Sequence, residues 1–266
     1  MIRRLTILAG SGALVPEIIG AAQAAGDAVQ VLPLVDRADL GLTDRFGVAD
    51  LPRLIWRIKI FRTTHVAMVG GLKTTGAERE AFKRFAGDRG KASGDGALLK
   101  MAERLLSMTG AKVIGAESIA PGILAGSGPI AGPVLSLNVE AAAHRALLIA
   151  REFGARDEGQ AVVVAGGEAV AVEDAAGTDA LLARVACMRA ERDCAVPLIL
   201  AKALKPRQSR LSDRPAIGPA TIVNAAAAGI AVIAIEAGGA VIVDRAGVIA
   251  AANAAGISVI GMVLDG

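Results

Sequence analysis

The chain has 266 residues, enough for one large core or two modest ones without disulfides or metals to staple it. Hydrophobic residues make up 53% and aromatics only 2% (five Phe, Trp56 and no Tyr), so aliphatic side chains must fill the interior. That composition suits helices packed on a parallel sheet, and it excludes a disordered chain and a single-strand nucleic-acid binder, whose stacking platforms need aromatic faces. In chain order, the apolar run Leu5 to Ala9 predicts a strand that ends in Gly10-Ser11-Gly12, with a helix to about Ala25 behind it. Gly26-Asp27 stops that helix, and Val29 to Val35 reads as a second strand. Asp50-Leu51-Pro52 opens a basic helix through Phe61, and Val66 to Val69 is a third strand closed by Gly70-Gly71. Helices are expected over about 77–85 and, capped by Asp95, to Met108, before a short strand at Val113 to Gly115.

Ala120 to Pro133 is rich in Gly and Pro and reads as a linker between two α/β domains, 1–133 and 134–266, the first Rossmann-like. Beyond it, Asn138 caps a helix to Phe153, and Ala161–Ala165 and Ala169–Val172 form a hairpin across Gly166-Gly167. Thr178 starts a helix to about Arg189, and Leu198 to Lys202 is a strand. The last third alternates a helix near Thr221–Ala228, strands at 231–235 and 240–243, a helix to Ala254 and a strand at 257–263.

Cys187 and Cys194 lie seven apart, neither a redox pair nor a metal spacing, and a reducing, cytoplasmic setting is expected. His65 and His144 are too far apart in sequence to suggest a zinc or histidine-rich dinuclear hydrolase, while magnesium, which takes oxygen ligands, remains open. The uncharged stretch Ser118 to Val139 is broken by three prolines, so no membrane span is expected.

Five clusters could carry chemistry. Gly10-Ser11-Gly12 sits at a strand's carboxyl end and a helix N-terminus, where backbone N–H groups favour a phosphate; the dinucleotide fingerprint lacks its third glycine, since Val15 stands there. Arg45 to Lys91 holds eleven cationic residues against four acidic ones, and the helix Arg53 to Phe61 is apolar on one stripe and cationic on the other, fit for an anionic ligand, a membrane surface or plain solvation. Gly70-Gly71-Leu72-Lys73 follows a strand without phosphate-loop spacing, and Lys73 could still reach a diphosphate. Lys202, Lys205, Arg207 and Arg210, with Gln208 and Asp213, make a second cationic loop after a strand. Glu173, Asp174 and Thr178 combine carboxylates with a helix start, which reads as capping or as a magnesium and phosphate corner.

The ordered segments LAGSGALVPE (8–17), GDGALLK (94–100), VEDAAGTDALLARV (172–185), LAKALKPRQSRLSDRPAIGPATI (200–222) and AGG (237–239) together resemble the UDP-2,3-diacylglucosamine diphosphatases of the LpxI type, over nearly the whole chain. The resemblance implies Mg²⁺-assisted attack of water on the α-phosphate of UDP-2,3-diacylglucosamine, giving UMP and 2,3-diacylglucosamine 1-phosphate. It further implies a nucleotide-binding first domain and a second domain for the acylated sugar, phosphate and metal, in a cytoplasmic protein with transient inner-membrane contact. Gly10, Ser11, Gly12, Gly71, Lys73, Gly94, Asp95 and Thr178 would then bind substrate, Glu173 and Asp174 the metal, and Lys202 and Lys205 the developing phosphate charge. The helix after Gly218-Pro219 reads Asn224 followed by four alanines where the family is expected to carry an acid, which makes Ala225 the suspected site of a replaced catalytic carboxylate. Two other readings remain: a nucleotide-cofactor oxidoreductase on the Gly10-Ser11-Gly12 turn, with Asp36 its only strand-end acid, and a non-catalytic sugar-nucleotide or lipid-binding protein.

Overall fold

The computed structural model describes residues 2–47, 50–71, 106, 109–156, 158–190, 196–206 and 214–264. The expected helices over 77–85 and 95–108 fall outside them, Leu106 excepted. The chain divides into two compact units, residues 1–121 with 209–213, and 122–208 with 214–266.

The first unit is built on a four-stranded parallel sheet: β1 (Arg4–Ala9), β2 (Ala28–Pro33), β3 (His65–Val69) and β4 (Lys112–Ile114), in the order β2-β1-β3-β4. Strand β1 is central and pairs in parallel with both β2 and β3. Leu5, Ile7, Leu8 and Ala9 are buried, as expected where both faces of a parallel strand are covered. Helix α1 (Leu14–Ala24) turns Val15, Ile18 and Ala22 inward, and α2 (Leu51–Ile60) turns in Leu54 and Ile58 toward a core shared with Leu8, Leu32, Phe46 and Met68. Both helices carry their apolar residues at spacings of three and four, which puts them on one face.

The second unit holds a six-stranded mixed sheet in the order β5-β12-β10-β8-β6-β7. Its strands are β5 (Gly128–Ala131), β6 (Ala161–Ala165), β7 (Glu168–Val172), β8 (Leu198–Lys202), β10 (Ile230–Glu236) and β12 (Ser258–Met262), while β9 (Ala216–Ile217) and β11 (Val241–Ile242) form a small parallel pair of their own. Helix α3 (Leu137–Ala155) packs on one face against Val162, Val164, Ile199, Ala201 and Ala234. On the other face, α4 (Thr178–Ala190), α5 (Pro219–Ala227) and α6 (Arg245–Ala255) enclose Val163, Leu198, Leu200, Ile233 and Val259. Adjacent strand residues thus alternate between two apolar layers, as the period of two in a strand requires.

The hairpin across Gly166-Gly167 is present as β6 and β7, paired antiparallel, with both glycines at positive φ. The expected linker differs from the structure. The division falls between Pro121 and Gly122, twelve residues before the expected boundary, because 128–131 is an edge strand paired antiparallel with β12. Gly and Pro suit that edge: Pro129 has no N–H, and an edge strand leaves one side of its backbone unpaired.

Candidate functional site

In the first unit, the order β2-β1-β3 makes the chain leave β1 to one side and return to the other. This is the switch point of the sheet, and at the carboxyl ends of strands beside such a point open α/β sheets place their ligands. Both glycine turns lie there. Ser11 and Gly71 form an isolated bridge, with Ser11 N–H donating to Gly71 O at 2.8 Å and Gly71 N–H donating to Ser11 O at 2.9 Å. The Ser11 hydroxyl also donates to Gly71 O, at 3.0 Å. The crossing is tight enough that a Cβ on Gly10 would sit 2.5 Å from Gly71 O. Gly12 differs: its φ is +101° and nothing lies within 4 Å of where a Cβ would be, so its backbone faces open space at the start of α1. Glycine is required at 10 for close approach and at 12 for conformation.

Arg37, a residue the sequence reading passed over, braces this turn. It is 4% exposed, and its Nη1 donates to Gly10 O at 2.6 Å. Its Nε and Nη2 donate to the two Asp39 oxygens at 2.8 and 2.6 Å, a fork that holds the Asp39 carboxyl below the usual carboxylate range. Asp36 accepts the Ala38 N–H at 3.1 Å in a local turn. An arginine four residues beyond a strand carries no sequence signal of its own; only the fold brings it back across 27 positions to Gly10.

In the second unit, β7, β8 and β10 deliver Glu173, Lys202 and Glu236 to one edge of the sheet, since β7 and β8 both run antiparallel to β6 and β8 runs parallel to β10. Lys202 is 4% exposed, and its Nζ donates to Thr178 Oγ1 at 2.9 Å and to Ala216 O at 2.8 Å. Thr178 in turn donates to Glu173 Oε1 at 2.6 Å, and Glu173 Oε2 accepts the Gln160 N–H at 3.0 Å. Burial pushes the Lys202 ammonium below the usual lysine range, and the negative Glu173 and Asp179 oppose that shift. Glu236, not foreseen as a site residue, accepts the Leu204 N–H at 2.8 Å and so fixes the chain on its way to Lys205.

The chain matches the family signature described as the LpxI N-terminal domain over residues 4–123, and the one described as the LpxI C-terminal domain over 127–260. It is 35% identical over 282 aligned positions to the UDP-2,3-diacylglucosamine pyrophosphatase LpxI of Caulobacter vibrioides, covering 98% of each chain. The chain belongs to the LpxI family.

Within this LpxI chain, the structure brings Gly10, Ser11, Gly12 and Gly71 together in the first unit, and Glu173, Thr178, Lys202 and Lys205 to one sheet edge in the second. Lys73, Gly94 and Asp95 lie outside the described residues. The surroundings of several of these residues bear on their expected roles. Lys202 is enclosed, with its ammonium directed at Thr178 and a carbonyl. Glu173 and Asp174 both meet protein partners. Both Glu173 oxygens accept protein hydrogen bonds, while Asp174 accepts the Ala176 N–H at 2.8 Å and pairs with Arg184 at 2.8 Å. Among the described residues no group of three or more His, Cys, Asp or Glu side chains that could hold a metal ion occurs. Ala225 lies on the inward face of α5, wholly buried with Leu181, Ile222 and Ala228 in the apolar core. A carboxylate there would be in the core and not at a site.

Proposed function

We propose that this chain hydrolyses UDP-2,3-diacylglucosamine to UMP and 2,3-diacylglucosamine 1-phosphate. The observation that carries the reading is the 35% identity, over 98% of both chains, to a protein bearing that activity in its name. The reaction adds water oxygen to the α-phosphorus and breaks its bond to the bridging oxygen, which leaves with the sugar phosphate.

The roles of the chain's own residues follow from their placement. Gly10, Ser11 and Gly12 present the opening of α1 to the nucleotide phosphate: the helix start carries partial positive charge, and Gly12 keeps the approach free of side chain. Gly71 keeps the partner strand end close, and Lys73, Gly94 and Asp95 extend the substrate-binding set expected from the sequence. Lys202 orients Thr178, and through it Glu173, so that the α4 start holds one geometry. Lys205, three residues beyond β8, is the cation that neutralises charge on the departing phosphate. Asp213, in the same cationic run of sequence, is the carboxylate proposed for the catalytic role in place of the buried position 225. Dependence on Mg²⁺ is part of the proposal. The burial of Ala225 in the apolar core supports reading the chain as an active enzyme.

The test is UMP release from UDP-2,3-diacylglucosamine in H₂¹⁸O, with and without EDTA. Label in UMP is expected, with loss of turnover in EDTA and about a hundredfold loss in Lys205→Ala. Absence of UMP, or label in the sugar phosphate, would overturn the reading; undiminished turnover in EDTA would remove the metal from it.

A further inference from the structure

Helix α2 has two unlike faces. Leu54 and Ile58 are buried against the sheet, whereas Trp56 is 57% exposed and Ile60 is 60% exposed. Arg53 lies three residues before Trp56, and Lys59 and Ile60 lie three and four after it, so all four share the outward side of the helix. Exposed Arg62 lies just beyond its end. Arg53 is partly neutralised by Asp44 at 3.0 Å, so Lys59 and Arg62, at the end where Ile60 lies, define the cationic part. Trp56 is the sole tryptophan of the chain. An indole and an isoleucine in water beside long cationic side chains match the boundary of an anionic bilayer: rings and branched chains enter the headgroup layer while Lys and Arg reach the phosphates.

We propose that the outward stripe of α2, centred on Trp56 and Ile60 and flanked by Lys59 and Arg62, docks the protein on anionic phospholipid. Charge complementarity selects this occupant. An apolar protein partner would use Trp56 and Ile60 without needing the cations, while each Lys or Arg near an anionic surface strengthens binding about fivefold. The inference rests on the proposed lipid-linked substrate only for its purpose, which is to hold the protein where a two-chain lipid resides.

A single tryptophan makes the patch its own reporter. Vesicles of mixed phosphatidylglycerol and phosphatidylcholine are expected to shift Trp56 emission to the blue and protect it from iodide, and vesicles of phosphatidylcholine alone are not. Lys59→Glu with Arg62→Glu should abolish the shift. Trp56→Ala, read by vesicle co-sedimentation, should weaken binding about tenfold or more, since it removes most of the inserted apolar area. Hydrolysis of detergent-dispersed substrate by these variants should stay at the unsubstituted level, so failure of the docking idea is distinguishable from failure of the proposed activity. Unchanged Trp56 emission in mixed vesicles, whether or not the protein sediments with them, overturns the proposal. So does a blue shift that grows with protein concentration without vesicles, which would make the stripe a contact between copies.

Discussion

Lys202→Met tests whether the enclosed ammonium is a structural support. Methionine matches the length of lysine and keeps the apolar stem, so the change isolates the charge and its N–H groups. The variant loses a charged donor to Thr178 Oγ1 at 2.9 Å and to Ala216 O at 2.8 Å, and leaves Glu173, 8% exposed, without a nearby buried cation. Hydrogen bonds to charged groups contribute about 1.5–3 kcal/mol each. The burial that pushes Lys202 below its usual range is a cost that methionine avoids, and this offsets part of the loss. A net destabilisation of about 2–4 kcal/mol follows, which in a unit of this size lowers Tm by about 6–12 °C. Scanning calorimetry is the right assay, because Trp56 lies in the other unit and its fluorescence would report the wrong transition. Adding Glu173→Gln should recover part of the loss, with a coupling of about 1–3 kcal/mol. The sign of the pH dependence follows from the lowered value. Between it and the ordinary 10.5, the unfolded chain holds a proton that the native state has released, so this group's contribution to stability rises with pH across that window, and its cost is fully present below it. The methionine variant should lack that alkaline rise. A Tm change within about 1 °C, or strict additivity with Glu173→Gln, would refute the network as a support.

Gly10→Ala should destabilise the first unit strongly, since its Cβ meets Gly71 O at 2.5 Å; Gly12→Ala should cost only the roughly 1–2 kcal/mol of a left-handed backbone, and comparable losses by calorimetry would contradict the two roles. Ala225→Asp should reduce soluble yield or Tm and leave hydrolysis unimproved, because the new carboxylate is buried without a partner; a rise in UMP release would restore that position to the site. His65 is held below its usual 6.5 chiefly by burial and then by Arg3 and Lys112. Its contribution is therefore present above 6.5 and lost as pH falls through 6.5 to the lowered value, where the unfolded chain protonates first; His65→Gln should flatten that acid slope in a pH series of unfolding curves, and an unchanged slope would count against the assignment.

The strands and the helix faces were legible because their signal is local. Leu198 to Lys202 reads as a strand from five consecutive residues, and it is one with those bounds. Gly166-Gly167 specifies its hairpin because both positions need positive φ. The edge strand at 128–131 was hidden for the opposite reason: its Gly and Pro resemble a linker, and only β12, more than a hundred residues later, gives it a partner.

By itself the sequence determined that this chain would be α/β, that Gly10-Ser11-Gly12 would end a strand, and that a cation would stand at residue 202, since periodicity and turn chemistry act over a few residues. It also determined the family, through ordered motifs spread along the chain. Only the tertiary structure decided what those residues face. A lysine at a strand end looks the same in sequence whether its ammonium meets solvent or Thr178, and an alanine in an alanine-rich helix looks the same in a core or at a site. Arg37 reaches Gly10 because β2 lies beside β1, and Glu173 reaches the Thr178 hydroxyl that Lys202 meets because β7 and β8 both run against β6. Direction and burial are long-range properties: they depend on which strands pair, and no window of sequence contains that information.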